Sequence, residues 1–83
     1  MAHVVLARSA RAALLTLEWP LIAAVEDALG LLEREQYAGR ELRGSLRGLR
    51  SLRVGTYRIV YLLAEGDHTV RVAAIRHRSV AYR

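Results

Sequence analysis

Two periods of apolar residues divide this chain. The run HVVLA from His3 to Ala7 is short and rich in β-branched residues, which predicts a first strand. It ends at Ser9, a residue type suited to cap a following helix. Ala10, Ala13, Leu14 and Leu17 then recur at helical spacing and predict a helix over 9–18, which Pro20 breaks. Proline is well placed in the first turn of a new helix. A second helix over about 20–35 follows, with Leu21, Ile22, Val25, Ala28, Leu29 and Leu32 as its apolar stripe and Glu26, Asp27, Glu33 and Arg34 off it. Trp19, at the joint, is expected to anchor the core between the helices.

Residues 36–48 read QYAGRELRGSLRG, which has neither period and holds three glycines, so a basic connecting loop is expected there. The period then becomes two. Leu49, Leu52 and Val54, the run YRIVYLL from Tyr57 to Leu63, and the run TVRVAAI from Thr69 to Ile75 predict three strands. The turn from Glu65 to His68 is short enough to make the last two an antiparallel hairpin, and Ser79 to Tyr82 is expected to close the chain as an extended segment. The order β-α-α-β-β-β gives an α+β domain: a small antiparallel sheet with two N-terminal helices packed on one face. With 83 residues the chain is expected to be a single domain over 1–83.

Charge adds a polarity to this plan. Residues 1–39 hold three arginines against five acids, a balance of −2, whereas residues 40–83 hold ten arginines against three, a balance of +7. There is no lysine, so every fixed cation is a planar fork of donors that matches phosphate. A polyanion, a ribosome or an acidic protein segment is the partner this split implies. The chain has no cysteine, which excludes disulfides, thiolate metal sites and thiol nucleophiles and makes the cytoplasm the expected compartment. No apolar run approaches the ~20 residues of a membrane span, and Arg8 and Arg11 interrupt the N-terminal run, so neither an anchor nor a signal peptide is expected.

Alternation along the strands singles out candidate chemistry. Arg58 shares a face with Val60 and Leu62 in the most hydrophobic strand, where a guanidinium costs stability unless it reaches water, a carboxylate or an anion. Parity places Val70, Val72, Ala74, Arg76 and Arg78 together on the last long strand, where the two arginines could converge with Arg58 in a cationic pocket on the helix-free face. Pairing of these arginines with Glu41, Glu65 or Asp67 is the structural alternative. His77, between Arg76 and Arg78, is a candidate base. The three histidines have no metal-ligand spacing, and no phosphate-binding loop, dinucleotide fingerprint or nucleophile elbow is present. Neither metal nor cofactor is expected.

The run LRGSLRGLRSLRVGTYRIVYLL over 42–63, the hairpin after it and the ending RHRSVAYR over 76–83 together resemble the RelE/ParE toxin superfamily of type II toxin–antitoxin systems. The resemblance covers nearly the whole chain. It implies a cytoplasmic toxin held by a cognate antitoxin in a hetero-oligomer, and, in the RelE branch, a cofactor-free endoribonuclease acting on ribosome-bound mRNA by 2′-hydroxyl attack. By the same resemblance Arg58 falls on the phosphate-stabilising arginine, Arg76 or Arg78 on a later acid or charge stabiliser, and Tyr82 on a tyrosine that stacks on or orients substrate. Arg53 matches a basic position upstream, and with Arg43, Arg47 and Arg50 it is expected to bind RNA. Two lysines of well-studied members fall on Leu49 and Ser51, which leaves His77, or more weakly Glu41, as general base. The alternative is a ParE-like gyrase inhibitor of the same fold that cleaves no RNA.

Overall fold

The computed structural model describes residues 1–80. Five strands, β1 (His3–Leu6), β2 (Arg40–Glu41), β3 (Arg50–Val54), β4 (Tyr57–Ala64) and β5 (Thr69–His77), form one sheet in the order β1-β5-β4-β3-β2. Helices α1 (Arg8–Leu15) and α2 (Trp19–Arg34) lie between β1 and β2 in sequence and pack on one face, α1 over β5 and α2 over β1 and β3. The α+β architecture expected from the sequence is therefore present. Its sheet is mixed: β2 to β5 are antiparallel, but β1 pairs with β5 in parallel. The two helices carry the chain back across the face before the next strand, so β1 can take the vacant edge of β5 in that sense.

The core forms where the helices meet the sheet. Val25 and Leu32 of α2, Ala10 of α1, Ile59 and Tyr61 of β4, and Val70, Val72 and Ile75 of β5 are all buried. Leu32 is fully enclosed, so Leu32→Ala would cost about 2–5 kcal/mol, enough to unfold many small domains. Helix α1 has eight residues, too few to be stable alone, and depends on this packing. The second helix begins where proline is tolerated, with Pro20 in its first turn.

Four expectations change. Trp19 is 73% exposed rather than an anchor, because at 3.6 residues per turn it lies roughly opposite Ala28 and off the stripe that enters the core. Ser9 is not the cap of α1, whose flanking residue is Ala7; it sits inside the helix, and its hydroxyl donates to the Ala73 carbonyl at 3.2 Å. The basic loop contains a two-residue strand, β2, and a single 3₁₀ turn at Gly44–Leu46. A second 3₁₀ turn, Arg78–Val80, stands where an extended tail was expected, while Tyr82 lies outside the described residues.

The hairpin between β4 and β5 turns as expected over Glu65–His68, with Glu65, Gly66 and Asp67 all at positive φ. Its register carries a shift that decides the site. Val60 pairs with Ala74 but Tyr61 pairs with Val72, so Ala73 is one extra residue on β5. Strict alternation put Val70 and Val72 on the same face as Ala74 and Arg76. The bulge instead leaves Val70 and Val72 in the core and turns Ala74 and Arg76 to the helix-free face.

Candidate functional site

Cross-strand pairs share a face, so the register lays out the helix-free surface in rows. Arg53 of β3 pairs with Arg58 of β4, which pairs with Arg76 of β5. Three arginines thus cross three strands in one line. Like charges directly opposite one another repel in a sheet, and a row of guanidinium groups matches an anion lying across it. The next row on the same face is Arg40, Ser51, Val60 and Ala74. Beside the two rows lies a groove of about 810 Å³ lined by Ala38, Arg40, Glu41, Leu42, Arg43, Ser51, Leu52, Arg53 and Arg58.

The expected site residues divide on this geometry. Arg53, Arg58 and Arg76 form the row, and Arg43 lines the groove. Arg78 has left the strand for the 3₁₀ turn, and its backbone N–H donates to the Thr56 carbonyl at 2.8 Å. Arg47 is exposed at the end of the first 3₁₀ turn and does not line the groove. His77 is turned away. It pairs with Tyr57 on the helix-side face, meets the Tyr57 ring edge-on at 5.3 Å, and through Nδ1 accepts the Ser79 backbone N–H at 3.2 Å. Adjacent strand residues face opposite ways, so a histidine next to Arg76 in sequence cannot share its face.

Arg50 is likewise not part of the row. It pairs with Tyr61 on the helix-side face, and its Nε donates to the Gly39 carbonyl at 3.1 Å and its Nη2 to the Tyr37 carbonyl at 3.3 Å. Its guanidinium also lies over the Tyr37 ring, 5.6 Å from the centroid. The buried Tyr61 hydroxyl completes this clamp by accepting the Gly39 N–H and donating to the Gln36 carbonyl, both at 2.8 Å. Tyr37 in turn donates to Asp67 at 2.7 Å, and that hydrogen bond, with some desolvation, raises the phenol above its ordinary range. One arginine expected to bind RNA therefore holds the loop before β2 in place.

Arg40 was not among the expected residues. Its position emerges only from β2, since a two-residue strand leaves no alternation to detect in sequence. Among the described residues no three of His, Asp and Glu gather as metal ligands, and no helix is long and apolar enough to cross a membrane. Arg71, which is not one of the arginines of the expected carboxylate pairing, contacts Glu65 at 3.3 Å on an exposed part of the sheet.

A family model described as the ParE toxin of the type II toxin–antitoxin system parDE matches residues 4–82. The toxin RelE of Mycobacterium tuberculosis is 44% identical over 62 residues, a stretch that covers 74% of this chain and 64% of that protein. In the crystal structure of the RelBE2 toxin–antitoxin complex from the same organism, one chain superposes with a TM-score of 0.82 at 38% identity, covering 93% of this chain and 98% of that one. A YoeB/ParE toxin from Agrobacterium tumefaciens shares the fold with a TM-score of 0.79 at 19% identity, covering 90% of this chain and 96% of that one.

Proposed function

This chain belongs to the ParE toxin family of type II toxin–antitoxin systems, within the RelE/ParE superfamily, and from that premise we propose that it is an endoribonuclease that cuts ribosome-bound mRNA. The observation that carries this reading is the row Arg53, Arg58 and Arg76 beside a groove lined by further arginines. In the reaction the ribose 2′-oxygen gives up its proton and attacks the adjacent phosphorus. The bond to the 5′-oxygen breaks as that oxygen takes up a proton, and a 2′,3′-cyclic phosphate remains. Negative charge builds on the phosphoryl oxygens during the attack. Arg58 at the centre, flanked by Arg53 and Arg76, supplies donors aimed at that charge.

Guanidinium groups stay charged and scarcely accept protons. With His77 on the other face, the role of accepting the 2′-proton passes in this proposal to Glu41, the one carboxylate lining the groove. Tyr82, which lies outside the described residues, is assigned in this proposal the role the family resemblance implies, stacking on or orienting the substrate. The protein acts in the cytoplasm, and an acidic segment of a cognate antitoxin covers the +7 half of the chain, in an association that weakens as salt rises.

A second reading has its own support. The matching family model is that of ParE toxins, and Leu49 and Ser51 stand where well-studied RelE members carry lysines, which favours inhibition of DNA gyrase without RNA cleavage. Inducing the chain in cells separates the two. Messenger RNA ends accumulating at ribosomal positions are expected; a rise in DNA-damage signalling with intact mRNA would replace the ribonuclease reading with the gyrase one.

A further inference from the structure

We infer that Arg40 binds the phosphate next to the scissile one and so sets where the mRNA strand lies in the groove. The inference rests on the ribonuclease reading and deepens it. Arg40 is the Cα partner of Ser51, which places it on the face of Arg58 but one row away. Two residues along a strand separate successive rows by ~6.6–6.8 Å, a gap that an extended ribonucleotide chain crosses in one step. The floor between them is low: Ser51, Val60 and Ala74 carry no long side chain. A strand with one phosphate over Arg53, Arg58 and Arg76 therefore presents its neighbour to the end of the groove held by Arg40 and Arg43.

The placement of Arg40 is unusually well fixed for an exposed residue on an edge strand. Gly39, just before it, is buried, with its N–H held by the Tyr61 hydroxyl and its carbonyl by Arg50 Nε. A Cβ on Gly39 would meet Tyr61 Oη at 2.5 Å, so the close approach requires glycine. On the other side Leu42 N–H donates to the Leu49 carbonyl at 2.9 Å and continues the pairing. The backbone of Arg40 is thus pinned before and after, while its own side chain is exposed and makes no hydrogen bond or ion pair with the described residues. A preset backbone with a free cationic head has less freedom to lose on meeting phosphate. Glu41, the next residue, pairs with Arg50 in the sheet and also lines the groove.

Cleavage on programmed ribosomes tests this with a chemical double-mutant cycle. The mRNA carries a single neutral methylphosphonate linkage, moved one position at a time on either side of the cut site. On unmodified mRNA, Arg40→Ala should lower kcat/KM about tenfold, the worth of one charge-assisted hydrogen bond, and Arg40→Lys should recover most of the loss. At one flanking linkage the neutral substrate should cost the wild type the same factor and cost Arg40→Ala nothing more. Arg11→Ala, which removes an exposed arginine from α1, makes the same charge change on another element and should leave the rate unchanged. Wild-type rates for Arg40→Ala, an equal loss in Arg11→Ala, or equal penalties for both proteins at every neutral linkage would overturn the inference while the ribonuclease reading stands. If the wild type leaves ribosome-bound mRNA uncut, both fall.

Discussion

Gly39→Ala should destabilise the protein, against the usual direction of that substitution. Where the backbone allows it, replacing glycine by alanine stabilises by ~0.4–1 kcal/mol by restricting the unfolded chain. Gly39 is not among the glycines at positive φ, so backbone preference does not oppose the change. The obstacle is Tyr61. A Cβ would lie 2.5 Å from its Oη, 2.6 Å from Cε1 and 2.9 Å from Cζ, and this ring is fully buried and tied at its hydroxyl to Gly39 and Gln36. Relief requires moving the loop or the ring, at the ~1–3 kcal/mol typical of overpacking, and either motion strains one or both hydrogen bonds, at ~1 kcal/mol each. A net loss of ~2–4 kcal/mol lowers Tm by roughly 8–32 °C at 4–8 °C per kcal/mol in a domain of this size. Thermal melting followed by circular dichroism reads it directly. Tyr61→Phe removes only the hydroxyl, so the double variant should lose less than the two single losses added together. A Gly39→Ala protein that melts within 2 °C of the wild type, a threshold of about 0.5 kcal/mol, would refute the account of the clamp.

Three further outcomes follow from the same geometry. Arg58→Ala should keep the fold, read by circular dichroism, and lower cleavage of ribosome-bound mRNA on the order of 10²-fold or more, since it removes the central donor of the row; a folded, fully active variant would take Arg58 out of the site. Trp19→Ser should change stability by no more than ~0.5 kcal/mol in urea unfolding, as expected of a side chain 73% exposed, whereas a core anchor would cost ~3–5 kcal/mol. Donation to Asp67 raises the Tyr37 phenol above its ordinary 10.0, so the unfolded chain ionises first, and the bond's contribution is whole below pH 10.0 and lost as pH rises through the folded value. Melting points measured across that range should fall more steeply for the wild type than for Tyr37→Phe.

Local pattern in the sequence determined much of this molecule. Pro20 and the stripe from Leu21 to Leu32 specified α2, and the alternation from Tyr57 to Leu63 put Arg58 on one face of β4 with Ile59 and Tyr61 on the other. Both signals are periods that a contiguous run displays by itself. Tertiary structure decided how those runs meet. The single extra residue at Ala73 reversed the parity of β5 midway, so Val72 faces the core and Arg76 the row, a change that alternation cannot anticipate because it assumes no insertion. His77 lies between Arg76 and Arg78 in sequence, but pairing with Tyr57 sends it to the other side from Arg76. Arg50 and Tyr61 became a clamp on Gly39 through contacts 11 and 22 residues apart in the chain, and that clamp, with the two-residue β2 beside it, placed Arg40 in the groove. Such contacts leave no local signature, because their energy comes from complementary shape and hydrogen bonding between segments that only the folded sheet brings together.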